Sequence, residues 1–449
     1  MAIIDEYDHL APRLRGKKEG TFAYLTVKDR WPKIVTGLVD QLVRKRPELI
    51  QEYGPAVETD IASILEKFSK LRYEIMTDKP LCTLPENGSE GRAWNQLIFD
   101  MKTAFMPDDV EELTFFKGPW LFVECYLYRF IYSAFLTTEK LSEMDYFQDT
   151  KQRNFLDHLE QIEEAAAFMN KISEKDAPLH DLFGTNTIFK MSLWGNRADM
   201  SLTGGDNQIM KMSCVVASAK LSEYILVDDV NEMIFHVLAP LQVNKGNSKN
   251  RRIDIVLDNA GVELTNDLVL ADFLLIRDFA DKVVLHGKAF PWFVSDVTEK
   301  DFTWTIDSFA KAGPEGEIFG NQLKSHIGNK KLIFECDSFW TSPHPFYVMD
   351  REAPELFKEF CSSSLLIFKG DLNYRKLVGD RDWNMDTSFK TACRGFAPCP
   401  FIALRTLKAE TVAGISSAVL DKINAQFEDN NSWMTSGEYA VCQFGGFAA

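Results

Sequence analysis

The chain has 449 residues, 45% hydrophobic and 26% charged, an ordinary balance for a folded protein with room for two or three cores. Its net charge of −16 argues against a nucleic-acid-binding surface, and no apolar run approaches the roughly 20 residues of a membrane helix. The acidic start MAIIDEYDHL lacks the basic and apolar regions of a signal peptide, and eight scattered cysteines with no CxxC pair predict buried free thiols in a reducing compartment, cytoplasmic with the nucleus as the second choice, rather than a zinc site or a disulfide frame.

To about residue 185 the pattern is helical. PKIVTGLVDQLVRKR sets Ile34, Leu38, Leu42 and Val43 on one face, and ETDIASILEKFSKLRYEIM does the same with Ile61, Ile64, Leu65 and Phe68. PWLFVECYLYRFIYSAF predicts a buried helix, and FLDHLEQIEEAAAFMNKI is a good helix former. From about 186 the rhythm changes. Short apolar runs at RIDIVL, VVLHG, LIFEC, LLIFK and FIALR alternate with helical stretches such as VELTNDLVLADFLLIRDFA. That alternation predicts βαβ units and a three-layer α/β/α (Rossmann-like) domain over 186–449, after a helical region over 1–185.

Ligands of open α/β sheets bind outside the carboxyl ends of the strands. The run RRIDIVL ends at Asp258 and Asn259, and FPWFVSDVT places Asp296 at a second tip. Carboxylate and amide oxygens suit a hard cation such as Mg²⁺ or Mn²⁺. The same Asp-Asn-Ala-Gly is also good turn chemistry, and by residue type the two readings stand level. Three further tips favour a metal beside a phosphate: Asp337 after KLIFEC, Asp371 after LLIFKG, and Arg405, Thr406 and Lys408 after FIAL.

Other candidates have bland readings beside them. Glu263, at a helix start, contacts substrate or simply favours the helix dipole. Asp371, Leu372, Asn373, Tyr374 and Arg375 open a helix whose N–H groups form an anion site, with Arg375 adding a fork and Asp371 serving as a hydroxyl contact, a base or an N-cap. Lys369 and Gly370 fall at the lip of that pocket. Asn196 and Asp199 are site candidates or loop caps, and His286 is a structural histidine. Alternation puts Arg405 and Lys408 on opposite faces of a strand, which leaves Arg405 and Thr406 to brace and Lys408 to face phosphate.

VLDNAGVEL, the aspartate of FVSDVT, KGDLNYRKL and RTLK, together with TFAYLTVKDRWP, PWLFVECYLYR and SLWGNRADMSL, resemble the metal-dependent damage-control phosphatases, long called domain of unknown function 89. Within that family an RTxK motif, here Arg405 to Lys408, marks subfamily III. The resemblance implies that Asp258, Asn259 and Asp296 hold one Mn²⁺, Mg²⁺, Co²⁺ or Ni²⁺, and that Asp258, Asn259, Glu263, the Asp371–Arg375 segment and Lys408 contact substrate. It also implies small sugar phosphates, fructose 1-phosphate and fructose 6-phosphate foremost, hydrolysed as damage control. Some animal relatives carry the name acidic residue methyltransferase. An S-adenosylmethionine-dependent protein-glutamate carboxyl methyltransferase is therefore the rival, but the only glycine-rich candidates are Thr203-Gly204-Gly205-Asp206 and Gly445-Gly446, and neither follows a convincing strand.

Overall fold

The structure is a computed structural model that describes residues 10–86, 88–104, 112–173, 182–198, 218, 220–243, 251–427 and 431–446. The chain divides into two compact units, one of Met1–Tyr146 with Thr341–Pro345 and Asp380–Asp382, the other of Phe147–Trp340, Phe346–Gly379 and Trp383–Ala449. The division falls at Tyr146/Phe147. Two helices that a boundary near 185 assigns to the helical region therefore belong with the sheet. Helices of eight or more residues are numbered here in chain order.

The first unit contains α1 (Trp31–Tyr53), α2 (Val57–Met76), α3 (Gly88–Ala104) and α4 (Trp120–Leu136). α1 buries Val35, Leu38 and Leu42, while Val43 is exposed, so its apolar stripe is narrower than the pattern implied. α4 is buried nearly all round, as its composition predicts. Its charged groups must then be matched. Glu124 accepts from the Trp31 indole (3.3 Å), Arg129 pairs with Glu90 (2.9 Å), and the Asp380 carboxylate accepts the Leu121 N–H (2.9 Å) at the helix start. Among the described residues no helix is long and apolar enough to cross a membrane.

The second unit is built on a seven-stranded sheet: β1 (Ile225–Asp228), β2 (Arg252–Val256), β3 (Lys282–Gly287), β4 (Leu332–Cys336), β5 (Leu365–Lys369), β6 (Phe401–Thr406) and β7 (Ala440–Gly445). The order is β1-β7-β6-β5-β2-β3-β4. β6, β5, β2, β3 and β4 are parallel, β7 runs antiparallel to β6, and β1 runs parallel to β7. The five apolar runs became the parallel block. From β2 the chain winds outward through β3 and β4, then returns with β5 on the other side of β2. The topological switch point, where a crevice opens at the strands' carboxyl ends, thus lies between β2 and β5.

Alternation divides the sheet's two faces. Ile253, Ile255, Val283, Leu285, Leu365, Ile367, Ile402 and Leu404 face an aliphatic core shared with α6 (Leu159–Ser173), α7 (Leu182–Ala198), α8 (Val262–Ile276) and α10 (Pro314–Gly328). The opposite face is aromatic: Phe368 packs on Phe346 (5.0 Å), Phe396 and Phe401 (both 5.8 Å). Asp254, buried on this face, accepts from Arg252 and lies 2.8 Å from His286 Nε2. Burial raises the Asp254 carboxyl, and the His286 and Arg252 bonds overcome it and hold it below its ordinary value. His286, edge-on to Trp340 and Phe360, is the structural histidine expected. Cys125, Cys393, Cys399 and Cys442 are buried free thiols, but Cys336 and Cys361 are exposed; Cys214 lies outside the described residues.

Candidate active site

The turn after β2 is held by the turn after β3. Ala260 N–H donates to Ser295 O (2.8 Å), Val297 N–H donates to Asp258 O (2.9 Å), and Asn259 and Asp296 form an isolated antiparallel bridge. Asn259 and Asp296, 37 positions apart in sequence, are thereby brought side by side at the switch point. The second turn is strained: Phe293 and Val294 have φ of 44° and 72°. Left-handed backbone at a non-glycine residue costs about 1–3 kcal/mol, and a β-branched valine there is unusual. Such strain persists only where the surroundings over-determine it.

Asp258, Asn259, Glu263 and Asp296 are all buried. Asn259 Nδ2 donates to Asp258 Oδ2 (2.9 Å) and Glu263 Oε2 (2.8 Å), while Ser295 Oγ donates to Asn259 Oδ1 (2.5 Å). The amide nitrogen thus sits between carboxylates, where a cation would also sit. A half-turn of the amide presents Oδ1 to them instead, with Nδ2 left to meet Ser295 Oγ. Burial first, then the nearby Glu263 and Asp296 charges, push the Asp258 carboxyl well above its ordinary value, against the pull of Lys288 and Lys408. Burial raises Asp296 too, opposed by Lys288, Lys151 and Lys376. Lys288 Nζ lies 3.0 Å from Asp296 Oδ2, as an ion pair without hydrogen-bond geometry, and donates to Leu257 O (3.1 Å). Repelling carboxylates with a buried carboxylate oxygen that accepts no aligned hydrogen bond are a donor set that fits a hard divalent cation. Among the described residues, however, no group of three His, Cys, Asp or Glu side chains is poised to hold a metal ion. The fit rests on two carboxylates and an amide.

β5 delivers the opposite wall. Gly370 begins α11 (Gly370–Val378) at φ +80°, and a Cβ there would stand 1.8 Å from Asp258 Oδ2. The helix backbone therefore abuts the carboxylate, and only glycine allows it. Asn373 Nδ2 donates to Lys369 O (2.7 Å) and Leu257 O (3.2 Å), tying helix to strand end. Tyr374 OH donates to Gln443 Oε1 (2.8 Å) on β7. Leu372 and Arg375 are buried, and Arg375 falls in the last turn of α11 rather than at its start. Lys369 does not line the crevice lip. Its ammonium donates to Ser192 O (2.6 Å) and pairs with Asp267 (3.1 Å) and Glu263 (3.3 Å), bracing Glu263 from behind.

Asp371 accepts from Arg405 Nε (2.8 Å) and from the Lys408 N–H (3.2 Å). Arg405, fully buried, also donates to Thr411 O and Ala409 O and lies over the Tyr374 ring, so it is a brace; Thr406 is buried beside it. β6 ends at Thr406, so alternation does not reach half-buried Lys408, whose charge acts on Asp258.

Asp337 takes no part in this cluster. It lies beyond edge strand β4, two strands from β2, and accepts the Phe339 N–H (2.7 Å) in a local turn. Nothing is described of the Asn196 side chain, and Asp199 and Thr203–Asp206 lie outside the described residues. Gly445 and Gly446 close the last strand against Phe401 and Cys399 O. Sequence reasoning passed over Lys288, Ser295 and Lys151. Lys288 and Ser295 signal themselves only as a polar residue just past a strand and one inside a turn, and Lys151 is a lysine within the helix Gln148–Asp157.

The damage-control phosphatase ARMT1-like domain model matches residues 26–423. The damage-control phosphatase ARMT1 of Danio rerio is 37% identical over 436 residues, covering 96% of each chain. That of Mus musculus is 36% identical over 439 residues and that of Homo sapiens 35% over 438, each covering 96% of this chain and 98% of the relative. A solved structure of a DUF89 family protein from Pyrococcus horikoshii aligns at TM-score 0.39 and 15% identity over 80% of this chain and 90% of that one. The matched span takes in β1 to β6 and all the turns just described, and the chain belongs to the ARMT1-like damage-control phosphatases, a phosphatase family.

Proposed function

We propose that the crevice between β2 and β5 hydrolyses the phosphate monoesters of small sugars, fructose 1-phosphate and fructose 6-phosphate foremost, with one divalent cation held by Asp258, Asn259 and Asp296. The observation that carries this reading is the Asn259–Asp296 bridge beside the start of α11, which sets oxygen donors next to backbone N–H groups and Lys408. When bound, the cation supplies Lewis acidity toward a phosphate oxygen. Mn²⁺, Mg²⁺, Co²⁺ and Ni²⁺ all suit the donor set.

The chain's own residues do the rest. Asn259 lies between Ser295 and Glu263, and the half-turn that presents its Oδ1 to the cation keeps Ser295 Oγ as partner of the amide nitrogen. Glu263 stands within reach of the same centre, and Lys369 holds it there, which suits a contact to a substrate hydroxyl. Lys408 and the start of α11 neutralise charge on the transferring phosphoryl group. Asp371 is occupied by Arg405 and the Lys408 N–H, and in our reading it positions that lysine segment. The exposed free thiols Cys336 and Cys361 suit a reducing compartment, cytoplasm or nucleus.

The test is phosphate release across a panel of sugar phosphates, after chelation and again with each metal restored. Release from fructose phosphates that disappears on chelation and returns with Mn²⁺ is the expected result. Undiminished release after exhaustive chelation overturns the metal assignment.

A further inference from the structure

Helix α5 (Gln148–Asp157) sends two side chains from one face to the two turns of the crevice. Asn154 Oδ1 accepts the N–H of Val262 at 3.1 Å. Val262 is the first residue of α8, whose own N-cap, Gly261, offers no side chain for the purpose. Gly261 has φ +75°, and a Cβ on it would fall 2.0 Å from Asn154 Oδ1, so the contact is close on both sides. Three residues earlier, and so on the same helix face, Lys151 Nζ reaches Asp301 Oδ2 at 2.6 Å. That one oxygen also accepts the N–H and the hydroxyl of Thr298 (2.9 and 2.7 Å), which closes the capping box of α9 (Glu299–Ser308). The capping box begins two residues after Asp296, at the end of the strained Phe293–Val294 turn.

We propose that α5 is the part that sets the register of the crevice, with Asn154 and Lys151 as positioning residues for Asp258, Asn259 and Asp296. The inference rests on the metal-dependent reading above. Asn154 pins the last corner of the Asp258–Gly261 turn, and Lys151 pins the far end of the turn carrying Asp296. Neither touches substrate or cation; each fixes the spacing of residues that do. Partners one shell removed from a metal commonly change its affinity by 10–100-fold. Simple charge makes the opposite prediction for Lys151. Its ammonium acts on Asp296, so removing it for electrostatic reasons alone would tighten cation binding.

The experiment measures the Mn²⁺ dissociation constant by titration, with Tm and the kcat and KM for phosphate release recorded alongside. It uses the full chain and the variants Asn154→Ala, Lys151→Gln, Asn154→Asp, Lys151→Arg and Phe155→Leu. Asn154→Ala and Lys151→Gln should each weaken Mn²⁺ about tenfold or more while the protein stays folded. Asn154→Asp keeps the acceptor and Lys151→Arg keeps the ion pair, so both should return to within about threefold of wild type. Phe155→Leu loosens the packing of α5 and should lower Tm with Mn²⁺ affinity intact. Lowered Tm with unchanged affinity in Asn154→Ala and Lys151→Gln would overturn the inference, as would tighter Mn²⁺ binding by Lys151→Gln. A wild-type chain that takes up no Mn²⁺ overturns the metal reading and this inference with it, and the wild-type titration tells the two failures apart.

Discussion

Gly370 shows how little room the crevice allows. Its positive φ already disfavours any side chain, and the Cβ position coincides with the Asp258 carboxylate. Gly370→Ala must therefore move either α11 or Asp258, and strain of about 1–3 kcal/mol is expected with Mn²⁺ affinity down about tenfold or more. A metal titration of the folded variant checks this, and wild-type affinity would refute it. Arg405 and Lys408 separate stability from chemistry in the same way. Arg405→Ala takes the guanidinium away from Asp371, which keeps only the Lys408 N–H, and from two backbone carbonyls, and a loss of about 3–5 kcal/mol in chemical denaturation is expected. Lys408→Ala should keep its Tm and lose about 10²–10³-fold in kcat/KM. An inactive but fully stable Arg405→Ala beside an active Lys408→Ala would invert the two roles. The contrast could be stated from RTLK alone. Its geometric justification could not, because β6 stops at Thr406 and Lys408 lies on the loop that follows.

Among the elements, the five parallel strands were readable because each is a short run dominated by apolar residues; β2, β3, β5 and β6 are buried almost throughout, while edge strand β4 is half-buried. β7 was not. Its Gln443 is buried to meet the Tyr374 hydroxyl and Ala413 O, and a glutamine inside VCQFG hides the strand from any hydropathy pattern. The turn and metal readings of Asp-Asn-Ala-Gly could not be separated in sequence because the structure uses the segment as a turn and buries its side chains among carboxylates at once. Lys369 was misplaced for a related reason: it is the last strand residue, and strand alternation rather than proximity to the tip decides its direction. Its partner Asp267 on α8 supplies a test at this scale. Burial raises the Asp267 carboxyl to about 7, against the pull of Lys369. Because its folded value lies above the unfolded one, this group's contribution is fully present below about pH 4 and is lost as pH rises through about 7. Tm of the metal-free protein should carry a downward component over that interval, and Asp267→Asn should flatten it. An unchanged slope in the variant would remove Asp267 as its source.

At the level of the whole molecule, the site is assembled from turns that follow four different strands, so no single segment of sequence contains it. Asp258 and Asn259 follow β2, Asp296 follows β3, Gly370 follows β5 and Lys408 follows β6. The switch point explains why these four meet: β5 and β3 flank β2 on opposite sides, and β6 is one strand further out. A cation bound there joins segments that only the folded state brings together, and the unfolded chain has no comparable site. Binding must then stabilise the folded state by mass action, about 2.7 kcal/mol at a free concentration one hundred times the dissociation constant. Thermal unfolding with rising Mn²⁺ should show Tm climbing with the logarithm of concentration once the site is saturated. Amides of the Asp258–Glu263 and Asp296–Asp301 segments should gain protection from hydrogen exchange over the same range. Asp258→Asn and Asp296→Asn should abolish the concentration dependence. Asp258→Asn should also raise the Tm of the metal-free protein, because it removes one of the carboxylates that now repel one another in a buried place. A metal-free variant less stable than wild type would mean that Lys288 and the Asn259 amide already compensate those charges fully, and that the site holds its shape without a cation.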